Sequence, residues 1–132
     1  MPHLFSYGTL QPGLIPAELA PLMGGIPVIA RGFVRGILYD LGRYPGAVLD
    51  PRAQTQIHGV IYELPDDPAL LAQLDEYEEF DPADPGQSLF RRILQPVTMA
   101  NNGDLPCWTY VYNRDPADAP VIPGGEYPAD TR

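Results

Sequence analysis

The sequence predicts an α+β domain in which strands predominate, and three observations support this prediction. Short apolar and aromatic runs of strand length recur along the chain and are separated by turn residues. Only one segment, from Asp66 to about Glu78, has the start signals and apolar spacing of a sustained helix. The runs over residues 26–30 and 33–39 do not alternate cleanly, which indicates strands covered on both faces or a sheet that curls.

The first strand ends at a turn that is suited to binding an anion. Leu4, Phe5 and Tyr7 indicate the end of a strand, and Gly8 lets the backbone turn where a Cβ would clash. Such a turn can direct successive N–H groups at one point, where they bind an anion or a developing oxyanion. The alternative, which is the commoner meaning of this pattern, is a strand that simply ends at a turn.

The next elements are a short helix and several strands. Tyr44 precedes Pro45 and is therefore held extended, so its ring is presented either into a pocket or as a lid on the core. The predicted elements are at most two helical turns over residues 16–23, ended by Gly24-Gly25, then strands over residues 26–30, 33–39, 47–49 and 56–64, with Arg31-Gly32 separating the first two.

The helix predicted from Asp66 to about Glu78 supplies the sharpest inference. Asp67 suits the N-cap and Pro68 the first helical position. At about 100° per residue, only Glu78 among the acids of Asp75-Glu76-Tyr77-Glu78-Glu79 points within the apolar stripe. A buried carboxylate is paired with a cation, shifted in pKa or used in chemistry. If the helix unwinds by Tyr77, however, Glu78 is solvated.

The last third of the chain predicts a hairpin followed by an irregular tail. Residues 88–99 and 106–112 are strand-like, and the turn Asn101-Asn102-Gly103-Asp104 joins them. Alternation on the second strand places Trp108, Tyr110 and Tyr112 on one face, so we expect at least one phenol to meet a polar partner inside. The tail over residues 115–132 is mostly irregular, and residues 1–132 are expected to form one domain.

Composition excludes several classes of function. The net charge is −9 and all eight basic residues are Arg, so nucleic-acid and membrane-surface binding are not expected. No His or Cys spacing suits a metal, and no phosphate or dinucleotide motif is present. The single Cys107 allows no intrachain disulfide, and with no leader-like segment we expect a cytoplasmic protein. Five arginines are candidates for an acidic substrate or for surface ion pairs: Arg31, Arg35, Arg43, Arg91 and Arg92.

Six short motifs cover nearly the whole chain: Tyr7-Gly8-Thr9-Leu10, Tyr44-Pro45-Gly46, Leu74-Asp75-Glu76-Tyr77-Glu78, Phe90-Arg91-Arg92, Trp108-Thr109-Tyr110-Val111-Tyr112 and Gly124-Gly125-Glu126-Tyr127. In this order and spacing, they resemble the gamma-glutamylcyclotransferase-like (AIG2-like) family.

The resemblance implies a small mixed β-barrel flanked by a few short helices, with a cavity at one end and no cofactor. It implies that Glu78 is the catalytic acid, the residue that the helical spacing also selects. It further implies that Tyr7, Gly8, Thr9 and Leu10 bind the substrate, and we expect Tyr44 and Tyr110 to do the same. The sequence departs from the family at three points: Thr9 stands where serine is usual, Glu79 stands where glycine is common, and the loop over residues 80–87 is longer than in some members. Glu79 and this loop are expected beside the pocket mouth, so they bear on the amine portion of the substrate.

Such a site would cyclise a small γ-glutamyl amide to 5-oxoproline and release its amine, with one Glu as acid and base. Two alternatives are a non-catalytic metabolite-binding module on the same fold and a γ-glutamyl hydrolase or acyltransferase. The sequence leaves the leaving amine and the oligomeric state unspecified.

Overall fold

The computed structural model of the protein describes residues 2–101 and 103–128. Asn102 of the predicted hairpin turn and residues 129–132 of the predicted tail lie outside the described residues. The strands are β1 (His3–Ser6), β2 (Val28–Asp40), β3 (Pro45–Leu49), β4 (Gln56–Glu63), β5 (Phe90–Met99) and β6 (Asp104–Tyr112), and the helices are α1 (Ala20–Met23) and α2 (Pro68–Tyr77), with 3₁₀ turns at Ala17–Leu19 and Pro85–Gln87.

Five strands close into a mixed barrel in the order β2-β4-β1-β6-β5, as the resemblance implied. The barrel closes where Gly32 and Phe33 of β2 pair with Met99 and Thr98 of β5. The pairing of β1 with β6 is parallel and the other pairings are antiparallel. The short β3 adds to β2 beyond the barrel. Strand β1 lies between β4 and β6 in the barrel wall and ends at Ser6.

The barrel wall separates two apolar clusters. Phe5 and Ile61 belong to the cluster that fills the barrel, whereas their neighbours Leu4 and Tyr62 belong to the cluster beneath the helices. Side chains alternate between the two sides of a strand, so both sides of each strand must be apolar where both are covered. This explains why the strand sequences do not alternate cleanly between apolar and polar residues.

The structure corrects one predicted boundary, since residues 26–39 do not form two strands separated by Arg31-Gly32. A single strand, β2, runs from Val28 to Asp40 through both residues, with an irregular register between Val28 and Ala30. Gly32 does not break the strand. A Cβ on Gly32 would lie 2.7 Å from Val97 Cγ1 on the neighbouring strand β5, so glycine is needed there for the barrel to close.

Helix α2 begins as predicted and ends one residue before Glu78. Asp67 is the N-cap and accepts a hydrogen bond from the Ala69 N–H at 3.0 Å, and Pro68 is the first helical residue. Leu70 and Leu74 are buried against the wall. The helix therefore presents its last turn to the end of β1.

Residues 113–128, the C-terminal segment, are mostly irregular and cross the end of the sheet. The N–H of Ile122 donates to Leu38 O at 2.7 Å, and the N–H of His58 donates to Gly125 O at 2.8 Å. In the part of the chain that the structure describes, no helix is long and apolar enough to span a membrane.

Candidate active site

An inner cavity of about 30 Å³ lies where β1 ends. It brings together all seven residues that the sequence selected for the site. Its lining is Leu4, Phe5, Ser6, Tyr7, Gly8, Thr9, Leu10, Tyr44, Pro45, Glu78, Phe90 and Tyr110. The predicted site residues come from four separate parts of the chain, which only the closed barrel makes adjacent.

A second space, the outer chamber, has a volume of about 130 Å³ and adjoins the inner cavity. The two share Tyr44, Glu78 and Phe90. Tyr77, Glu79 and Leu89 complete the lining of the outer chamber. A ligand can therefore occupy both spaces at once while it touches Glu78 between them.

The carboxyl group of Glu78 is buried although the residue as a whole is half-buried. The regular helix ends at Tyr77, yet the Glu78 N–H still donates to Leu74 O at 2.9 Å. This bond holds Glu78 on the apolar side of the helix, so the end of the helix does not release it into solvent. Among residues 2–101 and 103–128, none donates a hydrogen bond to this carboxyl or forms an ion pair with it. Burial raises its pKa to about 8.

Four tyrosines surround this carboxyl. Burial raises the pKa of Tyr7, Tyr44, Tyr77 and Tyr110, and the negative charge of Glu78 raises all four further. All four phenols are therefore neutral at ordinary pH. The surroundings of Glu78 are aromatic, and among the described residues no Arg or His is paired with its carboxyl, so a ligand can supply the cation.

The hydroxyl of Tyr7 ties the strands around the cavity together. It donates to Tyr110 O at 2.5 Å and accepts from the Ala47 N–H at 3.2 Å. Tyr7 thus connects β6 and β3 to the end of β1. Because both hydrogen bonds are made within the protein, Tyr7 holds the shape of the cavity.

Residues 7–10, the β1 turn, present unused backbone donors. Within the described ranges, the N–H groups of Gly8, Thr9 and Leu10 donate to no protein acceptor. The turn is anchored at two other points: Thr9 Oγ1 and Tyr77 OH are hydrogen-bonded at 2.8 Å, and Tyr62 OH donates to Leu10 O at 2.6 Å. Three N–H groups without a protein acceptor therefore lie on a turn that lines the cavity, and such groups are able to donate to an anion.

The structure corrects the prediction that Glu78 is the only acid of its run that points inward. Asp75 is 4% exposed and packs against the barrel wall. Its carboxylate accepts from Arg92 Nε at 2.7 Å, from Arg92 Nη2 at 3.2 Å and from Tyr110 OH at 2.7 Å. The helical angles placed the centre of the buried face at Leu74. Strands β5 and β6 contact the helix beyond that face, and they bury Asp75 as well.

Arg92 is consequently neither a surface ion pair nor a substrate ligand. Its guanidinium pairs with Asp75 and lies 4.4 Å from the centre of the Trp108 ring. The alternation of Trp108, Tyr110 and Tyr112 correctly predicted that a phenol finds a polar partner inside. Two features of the sequence could have indicated this pairing. Arg92 lies on a strand that also carries an aromatic residue, and Asp75 directly follows Leu74, at the edge of the apolar face of the helix.

In the portion of the chain that the structure describes, no three His, Cys, Asp or Glu side chains cluster as a metal site would require. The residues that line the cavity carry one carboxyl, three phenols, the hydroxyls of Ser6 and Thr9 and the amides of the β1 turn. The arrangement can take an ammonium group and an anion a short distance apart.

The family described as "Gamma-glutamyl cyclotransferase, AIG2-like" matches residues 4–129 of this sequence. The chain belongs to this family. A curated relative from Niallia circulans, "Gamma-L-glutamyl-butirosin B gamma-glutamyl cyclotransferase", is 37% identical over 118 residues, which are 87% of this chain and 69% of the relative. This AIG2-like protein is therefore an enzyme with gamma-glutamyl cyclotransferase activity.

Solved structures of AIG2-like proteins share the fold. An AIG2-like protein from Mus musculus has a TM-score of 0.73 at 22% identity, over 96% of this chain and 88% of that one. The YtfP protein from Escherichia coli has a TM-score of 0.65 at 25% identity, over 96% of both chains. The small mixed barrel with its few short helices is thus the common framework.

Proposed function

We propose that this gamma-glutamyl cyclotransferase converts a γ-glutamyl amide into 5-oxoproline and a free amine, with Glu78 as the general acid and base. The proposal rests on one observation above all. A buried and unpaired carboxyl faces the same inner cavity as the free N–H groups of the β1 turn.

The substrate of this reaction contains its own nucleophile. Attack of the α-amine on the γ-carbonyl forms the five-membered ring and displaces the attached amine. Well-oriented intramolecular reactions reach effective molarities of about 10⁵–10⁸ M, so the protein has mainly to hold the reactive conformer. The inner cavity of about 30 Å³ would take the reacting end of the substrate beside Glu78, and the adjoining outer chamber of about 130 Å³ would take the rest.

Proton transfer is the remaining obstacle, and Glu78 is suited to it. The α-amine is an ammonium ion at neutral pH, and the leaving nitrogen must receive a proton. A carboxyl whose pKa is raised to about 8 can take the proton from the ammonium and return it to the leaving nitrogen. The substrate ammonium would also be the cation that Glu78 otherwise lacks.

The β1 turn would bind the negatively charged groups of the substrate. The free N–H groups of Gly8, Thr9 and Leu10 would bind the substrate carboxylate or the oxyanion of the tetrahedral intermediate. The hydroxyl of Tyr110 donates to Asp75, so it can only accept a hydrogen bond from the cavity side. That oxygen is a suitable second partner for the ammonium group.

The attached amine would occupy the outer chamber, with Glu79 beside it. The relative that is 37% identical acts on γ-L-glutamyl-butirosin B, according to its name. That compound, simple γ-glutamyl amino acids and γ-glutamylamines form the first substrate panel. Mass spectrometry of the panel after incubation would identify both the amine released and the acyl product.

The decisive experiment compares Glu78→Gln with Glu79→Gln. We expect Glu78→Gln to lower kcat by about 10²–10⁴-fold while it still binds substrate, because the amide cannot transfer the proton. Glu79→Gln makes the same chemical change one residue along and should retain cyclisation. A folded Glu78→Gln enzyme that releases 5-oxoproline at the wild-type rate would refute the proposal, and free glutamate in place of 5-oxoproline would indicate hydrolysis.

A further inference from the structure

Gln11 follows the β1 turn and binds three carbonyl groups with its side-chain amide. Its Nε2 donates to Tyr7 O at 2.9 Å, to Gly8 O at 3.2 Å and to Tyr127 O at 2.8 Å. The backbone N–H of Gln11 also donates to Gly8 O, at 3.1 Å. Gln11 itself does not line the inner cavity. The side chain therefore lies behind the turn and holds two consecutive carbonyls on that side.

The direction of these carbonyls determines where the neighbouring N–H groups point. In a trans peptide the C=O of one residue and the N–H of the next lie on opposite sides of the chain. Since Gln11 holds the carbonyls of Tyr7 and Gly8, the N–H groups of Gly8 and Thr9 point away from Gln11. Gly8 and Thr9 line the inner cavity and Gln11 does not, so those N–H groups are directed to the cavity side.

We propose that Gln11 is a positioning residue that orients the N–H groups of Gly8 and Thr9 toward the anionic part of the γ-glutamyl substrate. The proposal rests on the proposed function, because it explains what orients the N–H groups that bind the substrate there. Gln11 touches no reacting atom. Its effect passes through the two peptide groups that it holds.

The third carbonyl fixes the orientation of the Gln11 amide itself. Tyr127 O belongs to the C-terminal segment, which the Gly125 carbonyl ties to β4 through the His58 N–H. The two hydrogens of the NH₂ group serve three acceptors, so one hydrogen is shared between two carbonyls, and rotation of the amide would break all of these contacts. The arrangement of the β1 turn thus depends on a contact with the last described residues of the chain.

Three variants of Gln11 separate positioning from packing. Gln11→Met keeps the length but removes the donors, so we expect kcat/KM to fall about 10- to 100-fold. Gln11→Glu keeps the shape and places negative charge against three carbonyls, so we expect an equal or larger loss. Gln11→Lys restores a donor and should recover most of the activity. Gln95→Met and Gln95→Glu are matched controls, because Gln95 lies outside both spaces of the site and its Nε2 donates to Pro96 O.

The kinetic constants and a binding measurement show how the loss arises. A rise in KM, with weaker binding of 5-oxoproline measured by calorimetry, would mean that the oriented N–H groups hold the substrate carboxylate. A fall in kcat at constant KM would mean that they hold the oxyanion. Both results support the proposal.

Two results would overturn it. The first is a folded Gln11→Met enzyme with wild-type kcat/KM. The second is a loss of activity that merely follows a loss of thermal stability and is not recovered in Gln11→Lys. If Glu78→Gln abolishes cyclisation in the same assays, either result removes the role of Gln11 and leaves the proposed function standing.

Discussion

The hydroxyl of Tyr110 donates to the carboxylate of Asp75 over 2.7 Å, which joins the cavity wall to the last turn of α2. Asp75 is three residues before Glu78 on the chain, and Tyr110 lines the cavity into which Glu78 points. The same carboxylate takes two hydrogen bonds from Arg92. This buried ion pair therefore holds the end of α2, and with it Glu78, against strands β5 and β6.

We predict that Asp75→Asn strongly destabilises the protein. The substitution keeps the size of the side chain but leaves the guanidinium of Arg92 in a buried site without its countercharge. Removal of one partner of a buried ion pair costs about 3–5 kcal/mol, and the partial exposure of Arg92 places the expected loss nearer 2–4 kcal/mol. Denaturant unfolding should show a lower midpoint at an unchanged slope.

Tyr110→Phe is the milder comparison, since Asp75 keeps both bonds from Arg92. We expect a loss of about 1–2 kcal/mol from the missing hydroxyl. Because the two residues touch, the double variant should lose less than the sum of the single variants. Strictly additive losses would show that the hydrogen bond contributes nothing to the free energy of unfolding.

We predict that Glu78→Gln is more stable than the wild type at high pH. Burial raises the pKa of folded Glu78 from 4.5 to about 8. Below pH 4.5 Glu78 is protonated in both the folded and the unfolded state, so its burial does not involve a charge. As pH rises from 4.5 to 8, the unfolded state releases the proton first, so stability falls, and above pH 8 the penalty is constant. At about 1.4 kcal/mol per pKa unit, the advantage of the variant over the wild type should be about 4–5 kcal/mol larger above pH 8 than below pH 4.5.

The measurement is the melting temperature of both proteins across this pH range, with the exposed Glu79→Gln as the control. The difference between Glu78→Gln and the wild type should be smallest below pH 4.5 and should stop growing above pH 8. A difference that is independent of pH would mean that the Glu78 carboxyl is solvated in the folded protein.

The same raised pKa predicts the pH dependence of catalysis. Free enzyme must have Glu78 ionised to take the ammonium proton, so kcat/KM should rise about tenfold per pH unit up to about pH 8. At higher pH the substrate amine loses its proton before binding, and kcat/KM should fall again. Initial rates with a substrate whose leaving amine does not titrate in this range would test the rise. A flat profile between pH 6 and 8 would exclude Glu78 as the base.

Local sequence signals were sufficient to predict those parts of the site that lie within a single strand, turn or helix. Gly8 after an apolar strand predicts the turn, and the spacing of leucines before Glu78 predicts the face on which that acid lies. Both are properties of a single strand or helix, which propensity and periodicity describe. The closed barrel and the proposed catalytic role of Glu78 were predicted instead from the resemblance to the family.

The contacts that the sequence did not predict join distant parts of the chain. Arg92 lies 17 residues from Asp75 and Tyr110 lies 35 residues from it, so no helical angle could show that Asp75 is covered. The role of Gln11 could not be predicted from the sequence, because its acceptor Tyr127 O is 116 residues away. The place of Gly32 within β2 likewise depends on the close approach of Val97, which is distant in the chain, on the neighbouring strand β5.

We predict that Gly125→Ala destabilises the protein whereas Gly124→Ala does not. Gly125 has a φ of +67°, which L-residues with a Cβ rarely adopt, and its Cβ would lie 1.7 Å from the backbone oxygen of Gln56. Strand β4 begins at Gln56 and cannot move away without disturbing the barrel, so we expect a loss of about 2–4 kcal/mol. A Cβ on Gly124 meets no atom within 4 Å, so Gly124→Ala should change stability by less than about 1 kcal/mol.

The two glycine variants also test the link from the C-terminal segment to the β1 turn. The carbonyl of Gly125 accepts from the His58 N–H, and Tyr127, two residues later, supplies the carbonyl that Gln11 binds. Displacement of Gly125 should therefore move Tyr127 O away from Gln11 and lower kcat/KM at temperatures where Gly125→Ala is still folded. Thermal unfolding and steady-state kinetics of the two variants, measured together, check both effects. Equal stability of the two variants would mean that residue 125 has room for a Cβ, and the segment would then not be held against β4 as the structure shows.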